Sequence, residues 1–160
     1  GCHQGAPAAW GWWRNEVAAR KQSYSTQEAL ITGETQRVSN LVQELENTNA
    51  ILRQEITSYN TQINALKAQM QHDNNKRELL HQQKVAIDKH YQQAKKSLQS
   101  TENELKTAEA LHADTKKQAG GKNANELKQW EKRISSLRKQ KVKLEQNTQQ
   151  LQSVSNSISL

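Results

Sequence analysis

Between residues 42 and 70 the chain reads VQELENTNAILRQEITSYNTQINALKAQM, and its apolar residues recur at alternating steps of three and four. Val42, Leu45, Asn49, Leu52, Ile56, Tyr59, Ile63, Leu66 and Met70 fall on one such line, and all but Asn49 are apolar. The positions between them are mostly Gln, Glu, Asn, Thr and Lys. A 3.5-residue repeat held this long draws a single stripe along a helix, the pattern of a coiled-coil seam.

One seam row is Val42, Asn49, Ile56, Ile63 and Met70; the other is Leu45, Leu52, Tyr59 and Leu66. Residues with β-branched side chains in the first row, leucine in the second and a single asparagine are similar to parallel two-stranded coils, in which paired asparagines bond across the axis. The residues therefore predict self-association through 38–70, with a dimer favoured. The alternative is a surface-polar asparagine in an antiparallel bundle. The same frame runs on through Asp73, Arg77, Leu80, Lys84, Ile87, Tyr91, Ala94, Leu98, Thr101, Leu105, Ala108 and His112. Charges at Asp73, Arg77 and Lys84 make pairing with an identical copy costly there. That part needs a different neighbour.

The neighbour follows the only Gly-Gly pair, Gly120 and Gly121. Glycine commonly ends helices, and Asn123 or Asn125 can cap a new one. The new stripe reads Leu127, Trp130, Ile134, Leu137, Lys141, Leu144, Thr148, Leu151, Ser155 and Ile158. A short connection between long helices makes them antiparallel neighbours. The predicted fold is all-α: a long coiled-coil helix over 25–118, a bend at 119–123, and a return helix over 124–160 forming a C-terminal antiparallel hairpin. A continuous helix over 35–118 would span roughly 125 Å. The alternative is an antiparallel three-helix bundle broken at 71–76, where QHDNNK has poor helix propensity. Upstream, STQE at 25–28 offers a capping box through Ser25 and Glu28.

Composition narrows the function classes. Only 33% of residues are apolar, which fits helices that each bury one stripe rather than a thick core. No stretch approaches the eighteen or so apolar residues that span a bilayer. No enzyme can be assembled from these residues. His3, His72, His81, His90 and His112 are spaced so that they do not converge on one helix face, and read most simply as solvated. No cofactor and no metal is expected.

The net charge of +7 is unevenly placed. Residues 1–80 carry eight basic and eight acidic side chains; residues 81–160 carry fifteen against eight. The excess gathers on the hairpin, at Lys116, Lys117, Lys122, Lys128, Lys132, Arg133, Arg138, Lys139, Lys141 and Lys143, opposed by Glu126 and Glu131. Such a surface attracts polyanions. The interleaved aromatics by which single-strand binders stack bases are missing, apart from Trp130.

Residues 1–24 differ again, as a flexible segment. Three of the four tryptophans, Trp10, Trp12 and Trp13, cluster behind a Gly/Ala/Pro spacer and the only cysteine, Cys2. Indole rings favour the membrane–water boundary. Gly1-Cys2 resembles the last lipobox residue and acylated cysteine of bacterial lipoproteins. The resemblance implies lipidation at Cys2, with His3 in place of an inner-membrane retention aspartate pointing to the periplasmic face of the outer membrane. The alternative is a free thiol, with the tryptophans capping a bundle or filling a partner's groove, in a soluble periplasmic or cytoplasmic protein.

Together these features predict a non-catalytic, lipid-anchored coiled-coil scaffold of a Gram-negative envelope assembly. It would self-associate, touch membrane lipid through its N-terminus, and dock other envelope proteins or peptidoglycan through the basic hairpin, nucleic acid being disfavoured for a lipoprotein. The alternatives are a polyanion-binding helical module, or a helical subunit of a larger complex.

Overall fold

Four helices account for nearly all of the residues described by the computed structural model, which are 15–69 and 74–159. Helix α1 covers 15–22 of these residues. It is followed by α2 (Gln27–Gln69), α3 (Asn74–Ala119) and α4 (Ala124–Asn156). The long helices suit a chain rich in Gln, Lys, Glu, Leu and Ala and nearly free of proline. The cap of α2 sits one residue beyond the expected Ser25: the Ala29 amide donates to Thr26 Oγ1 at 3.0 Å. After α3 the chain turns through Gly120 (φ 56°), Gly121 (φ 94°) and Asn123 (φ 58°). These left-handed conformations are natural for glycine and tolerable for asparagine.

The helices divide into two compact units, residues 1–43 with 102–138 and residues 44–101 with 139–160. In the first unit, Leu30, Ile31 and Val38 of α2, Leu105, Ala108 and Leu111 of α3, and Leu127, Trp130, Ile134 and Leu137 of α4 form the buried core. Helix α1 is attached to it chiefly by charge. Arg20, 8% exposed, donates to Glu16 at 3.1 Å, to Glu34 at 3.4 Å and to Glu104 at 2.7 Å. Lys21 pairs with Asp114, and Arg37 reaches Glu104 at 3.2 Å. Tyr24 completes the cluster by donating its hydroxyl to Glu34 at 2.7 Å. Its ring lies so close to Gly33 that a Cβ there would stand 2.5 Å from Tyr24 Cε1, so α2 needs glycine at this point.

This ion cluster makes unit 1 sensitive to acid. Burial alone would raise the Glu104 carboxyl; the hydrogen bonds and charges of Arg20 and Arg37 outweigh it and hold the group below its ordinary value. A carboxylate that titrates lower folded than unfolded adds stability at neutral pH and loses it as pH falls through the folded value. Thermal stability is therefore expected to decline once pH drops below about 4.3, and Glu104→Gln should flatten that part of the profile. Melting curves collected across acid pH check this. At the opposite end, burial and Glu34 push the Tyr24 hydroxyl up to about 12. Its contribution is present below pH ~10 and is lost as pH rises from there through the folded value.

In the second unit, Leu45, Leu52, Ile56 and Ile63 of α2 pack with Leu80, Ile87 and Ala94 of α3 and Leu144, Leu151 and Val154 of α4. Asn49, only 4% exposed, donates to Gln140 Oε1 at 3.0 Å and accepts from Asn147 at 2.9 Å. Lys84 donates to the Ser155 carbonyl at 2.8 Å, a cation at the carbonyl end of α4. The Asp88 carboxylate accepts from Ser155 Oγ.

These contacts correct the predicted architecture. The fold is an all-α bundle of four helices, not an extended coiled coil with a distinct hairpin. Gln83 of α3 donates to Gln62 of α2 at 2.7 Å and the Tyr59 hydroxyl meets His90 at 3.1 Å, so α2 and α3 lie side by side and no uninterrupted helix runs over 25–118 or 35–118. The three-helix alternative is also incomplete, because α1 is a fourth element bound through Arg20 and Lys21. The physical reason is that a 3–4 stripe serves an antiparallel bundle as well as a two-chain coil. Asn49 is satisfied by Gln140 and Asn147 of its own chain, where a symmetric partner asparagine was expected.

Candidate polyanion interface

The basic end of unit 1 forms around the α3–α4 turn. Lys116 and Lys117 occupy the last turn of α3, Lys122 lies in the turn, and Lys128 and Lys132 follow one helical turn apart on α4, with Arg133 beside them. All six are exposed. Among the described residues, no ion pair joins the side chains of Lys116, Lys117, Lys128, Lys132 or Arg133. Arg138 is also exposed and pairs with Glu109 at 3.0 Å. Lys139 and Lys143, exposed as well, belong to the second unit.

The turn is braced by neighbouring side chains. Asn123 donates to Gln27 Oε1 and Glu28 Oε1, each at 3.2 Å, rather than spending its side chain as the expected cap of α4. Its own backbone carbonyl accepts from the Leu127 amide at 2.9 Å, which opens the helix. The Glu28 carboxyl lies below its ordinary range through its own backbone amide, Asn123 and the nearby Lys122 charge. Behind the turn, His112 Nε2 lies 2.8 Å from the Leu127 carbonyl oxygen. A carbonyl only accepts, so Nε2 carries the proton. The imidazole meets Trp130 edge-on at 5.0 Å between ring centroids.

A cleft of about 320 Å³ opens here, lined by His112, Lys116, Gly121, Lys122, Ala124, Leu127, Lys128 and Glu131. Its lysines were visible as a charge run. The cleft itself was not, because it depends on how far the glycine turn holds the end of α3 from the first turns of α4.

Two histidines depart from the solvated reading. His112 is buried in unit 1. His90, in unit 2, lies 2.9 Å from Glu55 and 3.1 Å from the Tyr59 hydroxyl, both through Nδ1. Glu55 and His90 line a cleft of about 220 Å³ that also includes Ser97. A carboxylate, an imidazole and a hydroxyl suggest nucleophilic chemistry, but Ser97 is seven residues along α3 from His90, about 10.5 Å along the axis. That separation is too long for the hydrogen bond that activates a serine. Among the described residues no group of three His, Cys, Asp or Glu side chains could hold a metal ion.

Several predicted site residues have a different role. Of the nine seam residues, Leu45, Asn49, Leu52, Ile56 and Ile63 are buried, Val42, Tyr59 and Leu66 are half-buried, and Met70 lies outside the described residues. The stripe is consumed by the chain's own α3 and α4, so the expected self-association through 38–70 has no free seam to use. The lipid-anchored coiled-coil scaffold is overturned with it, since its reach came from an uninterrupted helix. Cys2, Trp10, Trp12 and Trp13 lie outside the described residues. No described helix is long and apolar enough to cross a membrane. No family model matches this chain, and comparisons with curated proteins and with solved structures give no match.

Proposed function

We propose that this chain is a non-catalytic binding module that engages a polyanionic partner through the basic end of unit 1. The observation that carries this reading is the group of exposed cations at the α3–α4 turn, of which Lys116, Lys117, Lys128, Lys132 and Arg133 have no ion-pair partner among the described residues, in a protein that neutralises Arg20, Lys21, Arg37 and Arg138. Charge left unneutralised on a rigid turn raises the local concentration of anions and speeds their encounter. Some polar side chains are spent on structure instead: Asn49, Gln140 and Asn147 on one another in unit 2, and His112, at the cleft itself, on the Leu127 carbonyl.

Association should be driven by counterion release and weaken steeply between about 50 and 200 mM salt. The combined variant Lys128→Glu, Lys132→Glu and Arg133→Glu is expected to abolish binding of heparin, used as a generic polyanion, while leaving helix content and melting temperature nearly unchanged. Fluorescence anisotropy across a salt series checks the first part and circular dichroism the second. Salt-independent binding, or binding unchanged in the variant, would exclude this end as the interface.

A further inference from the structure

We propose that the cleft at the α3–α4 turn takes an acidic peptide segment and seats one of its apolar side chains, a refinement that rests on the polyanion-binding reading. Lys116, Lys122 and Lys128 bring three ammonium groups to the cleft, while Ala124 and Leu127 give it apolar surface. The lysine stems extend that apolar surface, with their charged heads reaching outward to water. The volume of about 320 Å³ lies at the low end of the ~300–1,000 Å³ typical of ligand sites. It suits one or two side chains of a longer partner.

Two observations favour a peptide over nucleic acid. Unpaired bases bind by stacking on exposed aromatic rings, and the sole aromatic residue of α4, Trp130, is 0% exposed. Glu131 also lines the cleft. A uniform phosphate backbone would meet this like charge whichever way it ran, whereas a peptide can place a neutral or basic residue opposite it. A segment with acidic residues facing the three lysines and a leucine-like side chain between them satisfies charge and apolar surface together.

The test uses two labelled acidic peptides of equal length and charge, one with a central leucine and one with serine in its place. The leucine peptide is expected to bind the full chain about tenfold more tightly, the effect of burying one such side chain. Ala124→Phe fills the cleft from an exposed position at the start of α4 and keeps every cation. It should erase the tenfold difference while heparin binding stays unchanged, with circular dichroism confirming intact helices. Equal affinity for the two peptides, or a duplex DNA fragment that outcompetes the leucine peptide, would overturn the proposal. Failure of both peptides and of heparin at low salt would overturn the polyanion reading and this one with it.

Discussion

Replacing the buried Arg20 with methionine is expected to destabilise the protein by about 3–5 kcal/mol. Methionine retains much of the apolar stem, so the loss is electrostatic. Among the described residues, Glu34, 2% exposed, would keep only the Tyr24 hydroxyl as a hydrogen-bond partner, and Glu104 would keep only Arg37. A buried carboxylate stripped of its cation must either remain charged in a poor dielectric or take up a proton. Restoring neutrality by Glu34→Gln in the same chain should recover a substantial part of the loss. Chemical denaturation of wild type, both single variants and the double variant measures the coupling directly. Additive effects would show that Arg20 and Glu34 act independently, contrary to the geometry.

The second large effect is expected at Trp130. Truncation to alanine should cost about 3–5 kcal/mol, because the ring is fully buried in the core of unit 1 and His112 packs edge-on against it. Trp130→Phe should cost far less. The indole Nε1 is buried without a hydrogen-bond partner, and an unmade hydrogen bond is itself unfavourable. Phenylalanine gives up some packing and removes that orphaned donor in the same step. Thermal melts of the two variants separate these contributions. If phenylalanine were as damaging as alanine, the indole nitrogen would be satisfied in a way the packing does not show.

The stripes were legible in the sequence, and their partners were not. The steps from Leu127 through Ser155 mark residues of α4 that are buried, with Lys141 alone only half-buried, and Ile158, just beyond the end of the helix, is buried as well. The charged seam residue Lys84 does find a different neighbour, at Ser155 of α4. What a heptad stripe cannot specify is whether the facing helix belongs to another copy or to the same chain. That depends on where the chain folds back on itself, and the sequence from Gln69 to Asn74 carries neither glycine nor proline to announce it. Nor could the α1 attachment be found from hydrophobic periodicity, since Arg20, Glu34 and Glu104 are far apart in sequence and polar in type. A buried arginine looks like any surface arginine until three carboxylates surround it. At the basic end the charge run was plain, but Trp130, the aromatic that kept single-strand stacking open, proves to be a core residue.

The central physical claim is that the Val42–Leu66 stripe packs against its own chain, which leaves surface charge rather than a free seam to carry interaction. Cysteine placed at Asn49 and at Asn147, in a chain whose Cys2 is changed to serine, tests it directly with a short thiol-to-thiol crosslinker. The two side chains are in hydrogen-bond contact within unit 2, so crosslinking at low protein concentration should give an intramolecular loop at monomer mass. Crosslinked dimers as the main product, with Asn49→Cys linking mostly to its own counterpart in a second copy, would contradict the claim and restore the two-chain coil.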